Sequence, residues 1–215
     1  MLTVKDVYKS FGDVHVLKGV NLHIEAGYVY TLKGNSGSGK TTLFNIISGF
    51  LPPTKGFVEF KKRKITKFAP YQINQLGMGR TFQDLRLVMQ MTVYGSVLLA
   101  LKKKLFAYPT KEQIRRVDDI LGKVSLLDNK NVLASKLSYG QQKLLAIACC
   151  IVNDADLLLF DEPITSVDKD TALKITNLVK QLKQEGKTIL QIEHNSNYVN
   201  ATSDKIFRLE KGIVI

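Results

Sequence analysis

The sequence predicts an α/β fold with a mainly parallel sheet, interrupted by a helical insertion. Three observations carry that expectation. "DLLLFDE" and "KTILQIEH" are continuous apolar runs, the texture of strands covered on both faces, as in parallel sheets. A glycine-rich loop stands between an apolar strand, "YVYTLKG", and a helix, "KTTLFNIISG". From about Leu85 to Ile151, between an early and a late group of strands, the texture is helical.

Each element has a local reason. In "VLKGVNLHIEAG", Val20, Leu22 and Ile24 alternate with polar residues and share one strand face. "PPTKGFVEF" reads as a turn followed by a strand. "VYGSVLLALKKKL", "KEQIRRVDDILGKV" and "YGQQKLLAIACC" are helical segments. After "DLLLFDE" comes a helix whose Leu173, Leu178, Val179 and Leu182 are available to face the sheet. "KIFRLEKGIVI" closes the chain as a hairpin through Gly212.

Composition limits the function classes. The 215 residues are 45% hydrophobic, enough for a substantial core. No apolar run approaches the roughly 20 residues that cross a bilayer, and "MLTVKDVYKSFG" lacks the apolar block of a secretory signal. The chain is expected to be cytosolic and to reach a membrane only by docking. Cys149 and Cys150 are adjacent in an apolar helical run, so buried reduced thiols are expected and a disulfide framework is excluded. The formal net charge is +12, with clusters at Lys61 to Lys67 and Lys102 to Lys104. Such charge suits phosphates, nucleic acid or acidic lipid, and equally suits plain solvated faces. Charge alone decides nothing.

"GNSGSGKT", Gly34 to Thr41, satisfies G-x-x-x-x-G-K-[ST] between a strand and a helix. Gly34, Gly37 and Gly39 let the backbone curl so that N–H groups point at phosphate oxygens. The helix adds its positive end. Lys40 reaches the β- and γ-phosphates, and the Thr41 hydroxyl can ligate Mg²⁺. Asp161, ending a buried strand, is placed to hold that metal, usually through its water. Glu162, beside it, is a candidate general base for an attacking water. A guanine-specific site carries N/T-K-x-D. The nearest text, "DNKNV", lacks its aspartate, so ATP is favoured.

"LSYGQQK" upstream of "LLLFDE" resembles the signature of ABC ATPases, usually L-S-G-G-Q. Other family elements stand in the same order: Phe11 in "KSFGD", Gln83 in "GRTFQD", Asp168 ending "SVD", and His194 in "IEHN". The resemblance covers almost the whole chain. It implies one ABC ATPase domain over residues 1–215. Its fold is an α/β P-loop NTPase core with a mainly parallel sheet, an N-terminal antiparallel β subdomain and an inserted α-helical subdomain at about 85–150. It implies that Phe11 stacks on adenine and that Asn35, Ser36, Ser38 and Thr42 join the other loop residues around the phosphates. Gln83 contacts the metal and senses the transmembrane partner, and His194 donates towards the γ-phosphate. Catalysis then rests on Glu162, His194, Gln83 and Lys40, with ATP and Mg²⁺ as cofactors and Thr41, Gln83 and Asp161 as metal ligands.

Family ATPases are head-to-tail dimers, homodimers or paired paralogues. The resemblance therefore implies that Ser138, Tyr139, Gly140, Gln141 and Asp168 meet ATP held by the other subunit. It also implies a transmembrane permease partner, no nucleic acid, no direct membrane insertion, and a place on the cytoplasmic face of the inner (cell) membrane. "GMGRTFQDLRLVMQMTVYGSVLLA" and "LSYGQQKLLAIA" are similar to the ATP-binding subunits of branched-chain amino-acid importers. A lipid or lipopolysaccharide export ATPase, and a non-transport ABC ATPase acting on DNA or ribosomes, are the alternatives. Against the latter, no long coiled-coil insertion and no second cassette is present. Tyr139 replaces a signature glycine, and Lys169 stands where a proline often follows. The cargo is not legible here, because the ATPase subunit does not touch it.

Overall fold

The computed structural model describes residues 1–101 and 108–215. The chain begins with strands β1 (Leu2–Phe11), β2 (Val14–Ile24) and β3 (Val29–Lys33), then helix α1 (Lys40–Ile47). Next come β4 (Lys55–Phe60), β5 (Arg63–Lys64), α2 (Pro70–Gln75) and β6 (Met78–Arg80). Three helices follow: α3 (Val93–Leu101), α4 (Lys111–Lys123) and α5 (Tyr139–Ile151). The remainder is β7 (Leu157–Asp161), α6 (Lys169–Gln184), β8 (Thr188–Ile192), α7 (Ser196–Thr202), β9 (Lys205–Glu210) and β10 (Ile213–Val214).

Two sheets result. The first is antiparallel, in the order β2-β1-β4-β5. The second runs β10-β9-β3-β8-β7-β6, parallel at every pairing except the terminal hairpin β9–β10. The fold class expected from the sequence is therefore observed, with the antiparallel sheet at the N-terminal side and α3 to α5 inserted between β6 and β7.

Burial explains why β7 and β8 are continuously apolar. Leu158, Phe160 and Ile189 pack on one face against Leu144 and Ile147 of α5 and Ile175 and Leu178 of α6. Leu157, Leu159, Leu190 and Ile192 pack on the other face against Leu43, Phe44 and Ile47 of α1 and the antiparallel sheet. Val20, Leu22 and Ile24 all point into this second core. Fully burying each such side chain is worth about 1.5–3 kcal/mol.

Some local expectations are corrected. Leu173 is 58% exposed, while Ile175 takes the buried place with Leu178, Val179 and Leu182. The buried face of α6 recurs at helical spacing from Thr171, and Leu173 falls on the opposite side of the cylinder. Residues 85–92 are not helical. Their backbone is taken elsewhere, since Met89 and Met91 carbonyls accept from the N–H groups of Ser135 and Ala134. The expected helix "VYGSVLLALKKKL" is seen as far as Leu101, and its Lys102–Lys104 cluster lies outside the described residues. Short α2 and α7 and the two- and three-residue strands β5 and β6 lie below what periodicity can reveal.

Cys149 and Cys150 are free thiols on α5, and burial pushes Cys149 up to about 12 and Cys150 upward as well. Among the described residues no helix is long and apolar enough to cross a membrane. Leu159→Ala, removing a fully buried side chain from the middle of β7, is expected to cost about 2–5 kcal/mol of stability. The measurement is a fall in the urea midpoint at unchanged denaturant slope.

Candidate functional site

Strands β3, β8, β7 and β6 are parallel neighbours, so the segments that leave their C-terminal ends meet along one sheet edge. In open α/β sheets that edge is where ligands bind. β3 delivers the glycine-rich loop, β8 delivers His194, β7 ends in Asp161 and Glu162, and β6 leads to Gln83.

Gly39 caps α1 with φ +102°, and a Cβ there would come within 2.9 Å of Leu17. Lys40 is buried, and its ammonium donates to the carbonyls of Gly34 (2.7 Å) and Asn35 (2.9 Å). Burial lowers its pKa, while Glu162 and Asp161 work in the other direction. Asn35, Ser36 and Gly37 form an exposed rim, and Thr41 and Thr42 stand in the first turn of α1. The Ser38 hydroxyl is buried without a hydrogen-bond partner. An inward ammonium, an unpartnered buried hydroxyl and a helix N-terminus make a donor set that fits phosphate oxygens.

The two acids differ sharply. Asp161 is 2% exposed and faces the Arg80 guanidinium at 3.4 Å. Burial raises its pKa, and Arg80 opposes that rise. Glu162 takes φ +51°, the left-handed region, immediately before Pro163. A residue before proline favours extended backbone, so this conformation costs about 1–3 kcal/mol and must be held by its surroundings. Its N–H donates to the Ile192 carbonyl at 3.0 Å, and its carbonyl accepts from the Lys143 ammonium at 2.8 Å. The side chain accepts from Gln83 Nε2 at 3.4 Å and lies 3.9 Å from His194 Nε2. Gln83, Glu162 and His194 are thus brought together. The Asp161 carboxylate, Thr41 hydroxyl and Gln83 amide oxygen are hard donors that could hold Mg²⁺, which takes few carboxylates alongside phosphates.

Three residues here escaped the motif reading. Arg80 donates to Asn45 Oδ1 (2.8 Å) and Ser48 Oγ (2.6 Å) of α1 and its C-terminus, and lies over the Phe82 ring. Glu193 is 2% exposed and accepts from the backbone N–H groups of His194 (2.8 Å), Asn195 (3.3 Å) and Ile164 (3.4 Å), clasping two loops. Lys143 is 4% exposed. The available signal was a charged residue inside or next to an apolar run, since charges are almost never fully buried unless satisfied.

Phe11, at the end of β1, is 50% exposed, with the Lys9 ammonium over its ring at 5.0 Å. Ser138 caps α5 through a capping box. The Gln141 N–H donates to Ser138 Oγ at 3.2 Å, and the Ser138 N–H donates to Gln141 Oε1 at 3.0 Å. Tyr139 is 45% exposed. Asp168 caps α6, accepting from the Thr171 N–H (2.9 Å) and hydroxyl (2.8 Å). These contacts lower the Asp168 pKa. A Cβ on Gly140 would stand 2.7 Å from Thr171 Oγ1, so the starts of α5 and α6 are in close contact. Among the described residues no hydrogen bond joins Ser138, Tyr139, Gly140, Gln141 or Asp168 to the glycine-rich loop of the same chain.

Comparison with known proteins agrees with this geometry. Residues 17–165 match the family described as "ABC transporter". The chain is 32% identical over 99% of its length to the high-affinity branched-chain amino acid transport ATP-binding protein LivG of Salmonella typhimurium, covering 89% of that protein. It is 33% identical over its full length to the xylose/arabinose import ATP-binding protein XylG of Sulfolobus acidocaldarius, covering 86% of it. Among solved structures, the dimeric post-hydrolysis state of an ATP-binding cassette bound to ADP and Pi superposes with a TM-score of 0.89 at 31% identity. That alignment covers 100% of this chain and 96% of the solved one.

The tight contact at Gly140 is directly testable. Gly140→Ala is expected to cost about 1–3 kcal/mol by overpacking against Thr171. Thr171→Ala in the same chain is expected to recover part of that loss. A double-mutant cycle in thermal unfolding measures the coupling.

Proposed function

This chain belongs to the ABC transporter family and is an ATP-binding, ATP-hydrolysing transport subunit; from that premise we propose that it powers an importer of the branched-chain amino-acid type. The observation that carries the catalytic reading is the convergence of Gln83, Glu162 and His194 beside Lys40 at the strand ends. The importer subtype rests on the likeness to LivG and on the wording "GMGRTFQDLRLVMQMTVYGSVLLA".

In this reading Lys40, the Ser38 hydroxyl and the N–H groups of Gly34 to Thr42 bind the β- and γ-phosphates. Phe11 stacks on adenine. Thr41, Asp161 and Gln83 would hold Mg²⁺, which would supply neutralisation of phosphate charge. Glu162 takes a proton from the attacking water as that oxygen bonds to phosphorus and the bond to the ADP oxygen breaks. His194 donates to the γ-phosphate and fixes it in line. Gln83, hydrogen-bonded to Glu162, orients the carboxylate. Little covalent chemistry falls to the protein, so positioning and charge account for the acceleration.

The exposed cap at Ser138, with Tyr139, Gly140, Gln141 and Asp168, serves the ATP of a second subunit in a head-to-tail sandwich. The dimeric form of the solved cassette supports this. A permease is the other partner, which puts the subunit at the cytoplasmic face of the inner membrane.

Two variants test this reading. Glu162→Gln is expected to keep ATP binding, lose turnover by about 10²–10⁴-fold, and elute as an ATP-trapped dimer in gel filtration. Full turnover would remove Glu162 as the base. Ser138→Arg is expected to leave ATP affinity of the monomer unchanged and abolish turnover. Ordinary turnover in that variant would rule out closure of this cap on a partner's ATP.

A further inference from the structure

We propose that Lys143 is a positioning residue for Glu162, the link through which helix α5 sets the backbone of the catalytic base. The proposal rests on the reading of Glu162 as that base.

Lys143 lies on α5, five residues beyond the Ser138 cap, and is 4% exposed. It forms no ion pair among the described residues, and the hydrogen bond it makes there goes to the Glu162 carbonyl, at 2.8 Å. A buried ammonium directed at a carbonyl is an expensive arrangement unless surrounding charge supports it. That support comes from Glu162, Glu193, Asp161 and Asp84, which oppose the lowering of its pKa by burial. The cation is therefore held in place by the acids of the site itself.

Its partner needs holding. Glu162 is a non-glycine residue at φ +51° with a proline after it, so the chain's own preferences oppose the observed backbone. Two of its backbone hydrogen bonds come from other elements of the fold and resist relaxation. Ile192 on β8 accepts the Glu162 N–H, and Lys143 on α5 donates to the Glu162 carbonyl. With both ends pinned, the Cβ direction is set, and the carboxylate meets Gln83 and His194. Pro163 has no N–H with which to anchor the following peptide, so the carbonyl side is held by a long bond from the Thr165 N–H at 3.4 Å and by the shorter, charge-assisted one from Lys143 at 2.8 Å. Lys143 and Ser138 share one helix, so a shift of α5 when its cap engages another subunit is passed to Glu162 through this bond.

A core lysine that serves stability alone predicts different behaviour, and the intact protein separates the two. Lys143→Met keeps the length and apolar stem but cannot donate, whereas Lys143→Arg keeps a cationic donor. Glu162→Gln is measured alongside. For each, ATP affinity, kcat and hydrogen exchange by mass spectrometry are recorded below the melting temperature. Lys143→Met is expected to lower kcat by about 10–100-fold, the loss of one charge-assisted contact to the base, with ATP affinity within about twofold of wild type. Exchange is expected to rise in the segment around Glu162 while α5 stays protected. Lys143→Arg is expected to keep most of kcat.

Wild-type kcat in Lys143→Met overturns the proposal. So does a proportionate loss of ATP affinity, or loosening of α5 itself, either of which marks a structural role. An arginine variant that folds yet is as inactive as the methionine variant also overturns it. If the methionine variant does not fold, exchange and kcat in Lys143→Arg decide the matter. Unchanged protection around Glu162 with retained kcat supports the link, and loss of either at intact α5 protection rejects donor-mediated positioning. An inactive Glu162→Gln beside a fully active Lys143→Met sinks this proposal alone, whereas a fully active Glu162→Gln sinks its premise.

Discussion

The parallel pairing of β8 between β3 and β7 is the constraint on which the rest of the structure depends. Every residue of β8 is buried, so its backbone groups are satisfied by its two neighbours. A buried glutamine sits near its C-terminal end, and it too is satisfied. Gln191 Nε2 donates to the hydroxyls of Thr31 and Thr202, each at 3.0 Å, and its Oε1 accepts from the Tyr198 hydroxyl at 2.8 Å. Burial holds the Tyr198 pKa well above its ordinary value, keeping the phenol a donor. Register fixed in this way is what aligns the glycine-rich loop, the two acids and His194.

That alignment concentrates charge, and the surroundings answer it from three separate elements. Arg80 on β6 faces Asp161, Lys40 opens α1 beneath the loop, and Lys143 on α5 holds the Glu162 carbonyl. Buried charges are tolerated when paired and hydrogen-bonded, and removing one partner leaves the other an uncompensated buried charge. Glu193 adds a carboxylate that ties the loop after β8 to the loop after β7. The site is thus built less from loops than from side chains that staple loops to strands and helices, an arrangement that keeps side-chain geometry narrow.

Much of this was legible locally. The strand before and the helix after "GNSGSGKT" follow from residue type, and both are observed. The continuous apolar texture of "LLLF" and "TILQI" announced strands buried on both faces. The capping box at Ser138 and the cap at Asp168 also follow from local chemistry. Periodicity failed where burial was decided by distant partners. Leu173 fits a generic apolar stripe but lies opposite the face that α6 uses. Residues 85–92 are apolar enough for a helix, yet pair with the segment around Ala134.

By itself the sequence determined the α/β class, the glycine-rich loop between strand and helix, the acids at a strand end and their order along the chain, because these depend on spacing and residue type over a few positions. Only the tertiary structure decided that Gln83, 79 positions before Glu162, touches its carboxylate. It likewise decided that Arg80 and Lys143 are buried cations around the acids, and that Glu162 is held in a left-handed conformation. The reason is physical. Parallel pairing joins strands far apart in sequence, and whether a charge is buried depends on what that pairing stacks above and below it.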